Sequence, residues 1–338
     1  MQLSDKNIIS DMRTAYGKTL VELGLKDPNI ICVGADTTDS LKTKMFGDKF
    51  PNRLYNVGIA EANLVSIAAG LAIAGKVVFA STYAAFLPGR CLDQIRNAIC
   101  YPFLDVKLVV SHAGLTVGPD GASHQQIEDI SIMRSIPNMR VLVPSDSVCV
   151  RNLIPLLSYT PGPFFMRLAR PSNSNVYDDN FEQFDIGKGN VIRDGSDITL
   201  IACGLMVSKA IDAALTLEKE YAVSCRVIDM YSIKPIDVEL VYHAAVDTGA
   251  IVTIEEHSII GGLGSAVCEV IAENHPVPVN RMGVGDTFGE SARETEIESL
   301  LSKYGLSSDH IIESVLKTRK LKKTHLKKCI YVFKRMKK

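Results

Sequence analysis

No run in this 338-residue chain is long and apolar enough to span a bilayer, because Lys, Asp, Gly or Asn interrupts every long hydrophobic stretch. The N-terminal segment MQLSDKNIISDMRTAYGK lacks the charged-then-apolar layout of a secretory signal. No CxxC or Cys/His ligand cluster occurs either. The eight cysteines (Cys32, Cys91, Cys100, Cys149, Cys203, Cys225, Cys268 and Cys329) stand singly, mostly in apolar surroundings. These absences argue against a membrane protein, a disulfide scaffold and a structural zinc site, and for reduced core thiols in a cytoplasmic protein. No internal repeat or coiled-coil heptad shows.

What is present begins with 46 % apolar residues, enough for a sizeable core in two domains. The formal net charge of −1 hides an asymmetry: residues 317–338 hold eleven of the 37 Lys/Arg and none of the 38 Asp/Glu. The rest of the chain therefore carries about −12. Such a basic tail suits nucleic acid, an anionic membrane or an acidic partner surface, or is a solvated, mobile appendage. The acidic body opposes nucleic-acid binding, and neither nucleic acid nor membrane is expected as a partner.

Apolar, β-rich runs at 30–33, 54–57, 77–80, 106–111, 140–144 and 163–168 alternate with helical patterns at 10–25, 60–74, 88–99, 126–135 and 147–158. Short continuous apolar strands separated by helices predict a mostly parallel sheet covered on both faces. Turn formers and acids at 171–190 mark a boundary, after which the alternation resumes at 198–202, 208–221, 225–229, 251–255, 264–274 and 279–282. The expected architecture is α/β, with domains at 1–175 and 186–316 and a basic tail at 317–338.

Polar residues fall at the carboxyl ends of the strands of the first domain, where parallel sheets place function. Asp36 follows the first strand, and Ile59 and Glu61 follow the second across Gly58. Tyr83 and Phe86 follow the third, His112 the fourth, and a glycine-rich loop carries Asp120 and His124. Arg167 and Arg170 close the series. Each has an ordinary reading. Glu61 is either a solvated helix-start acid favoured by the macrodipole or a desolvated carboxyl that holds its proton more tightly. Tyr83 and Phe86 read equally as core aromatics, the histidines as satisfied structural residues, and the arginines as surface ion pairs.

Taken in order, these segments resemble the transketolase family of thiamine-diphosphate enzymes. NVGIAEAN resembles its invariant-glutamate region, STYAAFLPGRCLDQIRNA its aromatic pocket and VVSHAGLTVGPDGASHQQIEDISIMRSIPNM its histidine loop. MRLARPSN resembles its arginine segment, and EEHSIIGGLGSAVCEVI fits its C-terminal domain. The likeness spans about residues 10–316 and leaves out the tail. It implies a pyrimidine-binding domain followed by a transketolase C-terminal domain.

The resemblance also implies roles. Glu61 would face N1′ of the aminopyrimidine and share a proton there, favouring the imino tautomer whose 4′ nitrogen deprotonates C2 of the thiazolium. Tyr83 and Phe86 would wall the ring, Ile59 would line the cofactor, and Asp36 would lie close to the thiazolium. The family's further aromatic is missing, because its place holds Gly89 or Arg90. His112 and His124 would bond ketose hydroxyls and shuttle protons, a duty suited to a group that titrates near working pH. Asp120 would accept from a substrate hydroxyl, and Arg167 and Arg170 would clamp the phosphate.

No GDG motif occurs anywhere in the chain. In the family that motif, followed by an Asn, holds the diphosphate through Mg²⁺ on a separate domain. The resemblance thus implies the C-terminal half of a split transketolase, with no metal ligands of its own and inactive alone. An N-terminal subunit would carry GDG and Mg²⁺, in an α₂β₂ assembly acting on sugar phosphates of the pentose phosphate type. The expected reaction is transfer of a two-carbon ketol unit between phosphosugars. A 1-deoxy-xylulose-5-phosphate synthase, a 2-oxoacid dehydrogenase β subunit and a non-catalytic partner subunit are the competing readings.

Overall fold

The computed structural model describes the backbone of residues 8–336 and the side chains of residues 8–323. In chain order the first domain contains strands β1 (Ile9–Ser10), β2 (Ile30–Gly34), β3 (Leu54–Asn56), β4 (Val77–Tyr83), β5 (Val106–Ser111), β6 (Arg140–Leu142), β7 (Phe164–Arg167) and β8 (Asn173–Ser174). Its helices are α1 (Met12–Lys26), α2 (Lys44–Lys49), α3 (Glu61–Ile73), α4 (Leu92–Gln94), α5 (Asp129–Ser135) and α6 (Ser147–Tyr159). The strands β6-β7-β5-β4-β2-β3 lie side by side in that order, every neighbouring pair parallel. All five residues of β2 and all six of β5 are buried, as the continuous apolar runs demand of strands covered on both faces.

The second domain holds β9 (Asn190–Arg193), β10 (Ile198–Ala202), β11 (Cys225–Asp229), β12 (Ser232–Lys234), β13 (Ile251–Ser258) and β14 (Val279–Val284). Its helices are α7 (Met206–Tyr221), α8 (Val238–Thr248), α9 (Leu263–Asn274), α10 (Ile297–Lys303) and α11 (Ser308–Met336). The sheet order is β14-β13-β10-β11-β9, with only β9 antiparallel to its neighbour. Strand β12 does not join it; it crosses over and pairs antiparallel with β6 at the edge of the first sheet. Both apolar layers run through the two domains: one includes Leu20, Leu153, Leu217 and Ile311, the other Leu64, Ile130, Val241 and Val267.

Local chemistry sets the helix starts. Asp11 accepts from the amides of Arg13 and Thr14 at the start of α1, and Asp146 from Cys149 at the start of α6. Asp237 does the same for Leu240 in α8, which ends on Gly249 at φ +63°. At α9 the cap comes from a distance: the Glu255 carboxylate accepts from the amides of Leu263 (2.7 Å) and Gly264 (2.8 Å).

Several elements differ from the sequence reading. β4 runs to Tyr83 and β13 to Ser258, each longer than expected, because pairing with a neighbouring strand continues past the apolar run. The helix expected at 88–99 is the single turn α4 followed by a π-helical stretch, Ile95–Cys100. The tail does not begin as a loose appendage. Helix α11 continues through residue 317 without a break: Thr318 is fully buried, and Lys322 Nζ donates to the Asp197 carbonyl at 2.8 Å. Arg319 also lies 4.0 Å from the Asp197 carboxylate. The remaining tail side chains, with Cys329, lie outside the described residues. Among the described residues, no helix is long and apolar enough to cross a membrane.

Candidate active site

The turn between β3 and α3 builds the centre of the site. Gly58 takes φ +74°, and the Asn56 side-chain oxygen accepts from the amides of Gly58 (3.1 Å) and Asp36 (2.9 Å). One asparagine thus ties the turn to the end of β2. Glu61 is the first residue of α3 and only 6 % exposed. Its carboxylate lines a pocket of about 470 Å³ with Asp36, Ser40, Ile59, Tyr83, Phe86, Arg90 and His124. Ile59 is 78 % exposed there, an apolar side chain left at the rim.

Strand register assembles the aromatic wall. Tyr83 pairs with Ser111 across β4 and β5, so it lies beside the residue that follows, His112. The Tyr83 and His112 rings stack at 3.9 Å between centroids, and Tyr83 and Phe86 at 5.5 Å. His124 meets Phe86 edge-on at 5.2 Å. The Tyr83 hydroxyl donates to Ser40 Oγ at 2.9 Å. At the position where the resemblance lacks an aromatic, Arg90 fills the space. Its guanidinium carbon is 4.4 Å from the Phe86 ring centroid, and its Nη1 is 3.5 Å from both Glu61 oxygens.

His112 and Asp36 both hold left-handed backbone, at φ +59° and +56°. Non-glycine residues pay for that conformation and keep it where the surroundings over-determine it, often at functional sites. Burial pushes the His112 imidazole down to about 3, and the positive charges of Arg13 and Arg170 push the same way. The ring is therefore neutral at working pH, with Nδ1 2.7 Å from Ser111 Oγ. This corrects the expectation that His112 titrates near working pH.

Arg13 and Ser40 escaped the sequence reading. Arg13 sits at the start of α1, bonded through Nη2 to the Asp11 carboxylate at 3.0 Å and through Nη1 to the Ser40 carbonyl at 3.5 Å. No spacing in the sequence marks it, because only the packing of α1 against the loop after β2 brings it to the site.

The two arginines near β7 part company. Arg170 is partly exposed, lies beside Gly118 of the histidine loop, and pairs with Glu294. Arg167 is 6 % exposed and bonded on both sides of the domain junction. Its Nε donates to Asp129 at 2.8 Å, and its Nη2 to the Glu256 carbonyl at 2.8 Å and the Gln126 carbonyl at 3.4 Å. Where a phosphate clamp was expected, Arg167 lies outside the pocket and its guanidinium joins the two domains through these partners. Asp120 lies exposed in the loop between Gly118 and Gly121, outside the pocket.

The second domain holds that loop in place. Glu256 Oε1 accepts from the Thr116 amide at 2.6 Å, and Gln125 Nε2 donates to the carbonyls of Leu115 and Glu290, both at 2.8 Å. Burial raises Glu255 and Glu256 each to about 7 and lowers His257 to about 3. It raises Asp129 as well, against the opposing pull of Arg167. Asp129 pairs directly with the guanidinium, which also draws on Glu255 and Glu256, the two carboxyls that hold their protons below about pH 7.

An α/β chain with a buried acid at a strand–glycine–helix turn, a stacked aromatic wall and a histidine loop pinned by a second domain defines a transketolase-type subunit. Residues 10–174 match the transketolase pyrimidine-binding domain, and residues 187–311 the transketolase C-terminal domain. The chain is 39 % identical to the 6-deoxy-6-sulfo-D-fructose transketolase subunit SqwH of Clostridium sp. strain MSTE9, covering 90 % of this chain and 92 % of that protein. It is 38 % identical to an apulose-4-phosphate transketolase subunit of Phocaeicola vulgatus, over 90 % of this chain and 96 % of the relative. A solved split-gene transketolase, an inactive β4 tetramer, superposes with a TM-score of 0.85 at 46 % identity, over 92 % of this chain and 99 % of that one. The chain belongs to the transketolase family. It carries that family's pyrimidine-binding and C-terminal domains, the half found in the split-gene relatives.

Proposed function

We propose that this chain is the catalytic C-terminal subunit of a split, thiamine-diphosphate-dependent transketolase that transfers a two-carbon ketol unit between sugar phosphates. The observation that carries the reading is Glu61, buried at the first turn of α3 and lining the same pocket as Tyr83 and Phe86. The residues suit the coenzyme's aminopyrimidine. The pocket is large enough for the ring, its wall is aromatic, and Thr37, which also lines it, has a buried hydroxyl without a partner. Bound thiamine diphosphate would supply the nucleophilic C2 that carries the ketol unit. By likeness to the split-gene protein, which this chain covers almost end to end, diphosphate and Mg²⁺ would fall to an N-terminal partner subunit, in an α₂β₂ assembly.

Each residue then has a task. Glu61 holds the proton at N1′, Tyr83 and Phe86 orient the ring, and Ile59 and Asp36 border the cofactor. His124 and Asp120 bind substrate hydroxyls. Arg13, Arg170, Ser40 and neutral His112 receive the anionic end of the sugar, the guanidiniums supplying the charge and His112 a hydrogen bond. A phosphate placed there would also offset the cationic field that presses on His112. The relatives' names carry a sulfo group in one case and a phosphate in the other, and paired guanidiniums suit both anions. In isolation the chain would form an inactive homo-oligomer, like the β4 tetramer of the 46 % identical split-gene protein.

The test is co-expression with a subunit carrying the diphosphate domain, followed by an assay of ketose-to-aldose transfer over a panel of phosphorylated and sulfo sugars. Transfer by the complex, and none by either subunit alone, is the expected result. A complex that binds the coenzyme yet transfers no ketol unit would leave the chain as a non-catalytic partner.

A further inference from the structure

We propose that Arg90 is a displaceable plug of the coenzyme's pyrimidine position, ion-paired to Glu61 until the ring takes its place. The inference rests on the coenzyme reading above. A pyrimidine ring needs two things from this pocket, a flat aromatic face and the acid beside it. One guanidinium covers both: it lies 4.4 Å from the Phe86 centroid and 3.5 Å from each Glu61 oxygen.

The geometry is that of a loose occupant. Charge-assisted bonds between guanidinium and carboxylate close to about 2.7–2.9 Å when they are tight, and this one does not. The Arg90 side chain is 55 % exposed while Glu61 is 7 % exposed, so the cation can leave toward solvent by giving up only its contacts with Glu61 and Phe86. Gly89 before it is exposed and adds no side chain to hinder that movement. Arg167 shows the contrast. Three partners hold its Nε and Nη2, and it is only 6 % exposed. When Arg90 withdraws, the Glu61 oxygens lose their one guanidinium partner and can meet a ring nitrogen instead.

This makes Arg90 a positioning residue whose removal strengthens coenzyme binding, opposite to the effect of removing a wall residue. The experiment is calorimetric titration of the assembled two-subunit enzyme, wild type against Arg90→Ala and Arg90→Lys. The probes are thiamine diphosphate and the neutral 4-amino-5-hydroxymethyl-2-methylpyrimidine. Arg90→Ala should tighten both by about two- to fivefold, with Arg90→Lys between, as expected for release of one partly exposed ion pair. A gain on the neutral fragment assigns the effect to the ring end, because that probe carries no diphosphate. Unchanged or weaker binding by a folded Arg90→Ala complex overturns the inference and makes Arg90 part of the wall. A wild-type complex that binds neither probe overturns the coenzyme reading itself, and this inference with it.

Discussion

The imidazole of His112 lies flat against the phenol of Tyr83, with centroids 3.9 Å apart and 16° between the planes. The stack exists because Tyr83 pairs with Ser111 in the sheet, which leaves the next residue beside it. An imidazole sealed between an aromatic face and two nearby arginines stays uncharged down to about pH 3.

A pH consequence follows for His112. Its folded-state value lies below the ordinary 6.5, so the unfolded chain takes up a proton first as pH falls. The associated stability is complete above about 6.5 and is lost as pH drops toward 3. Replacing His112 with Gln should make thermal unfolding less sensitive to acid in that window. The variant should lower kcat/KM without moving its acidic limb; a displaced limb would show that His112 titrates during turnover.

Glu61→Gln keeps the shape and removes the proton-sharing acid. Turnover of the assembled enzyme should fall by about 100-fold or more. Calorimetry should still detect coenzyme binding, and near-normal turnover would remove Glu61 from its role.

The two arginines of the MRLAR segment should separate cleanly. Arg170→Ala, and likewise Arg13→Ala, should raise KM for phosphorylated sugars about tenfold with a smaller change in kcat. Arg167→Met leaves the buried Asp129 carboxylate without its partner and should cost about 3–5 kcal/mol in chemical denaturation. A large KM effect from Arg167→Met in a fully stable protein would restore it to the phosphate site.

Glu256 works in the opposite direction to His112. Its carboxyl is raised from 4.5 to about 7, so the folded chain holds the extra proton. That stability is present below about 4.5 and is lost as pH rises through 7. Glu256→Gln should therefore gain on wild type as pH increases across this window, on the order of 1–3 kcal/mol at pH 8. Parallel melting curves at pH 5 and 8 for the two proteins would contradict the shift.

Truncation tests the reach of the last helix. Ending the chain at residue 316 removes buried Thr318 and the Lys322 bond to Asp197, and should lower Tm by about 3–6 °C. Ending it at residue 323 keeps both and should leave Tm within a degree or so of wild type.

Much of this was readable in the sequence because buried parallel strands appear as unbroken apolar runs and site residues follow their carboxyl ends. The strand–Gly58–helix pattern put Glu61 at a helix start, and the resemblance singled out Tyr83 and Phe86, which line the same pocket. Arg13 and Ser40 were invisible because tertiary packing alone brings them to His112. Arg167 and Arg170 look alike in sequence, yet one is the last residue of a buried strand and the other lies on the loop beyond it. Arg90 was noticed as a gap in the aromatic pattern; only coordinates show its guanidinium on Glu61.

The crossing of Ser232–Lys234 onto Arg140–Leu142 means that the segment before residue 176 cannot finish its own sheet. Expressed by itself, that piece would present a bare strand flank, ready to stick to any other chain. A gene divided ahead of the pyrimidine-binding domain avoids this, whereas a cut between the two domains would part a strand from the sheet it completes.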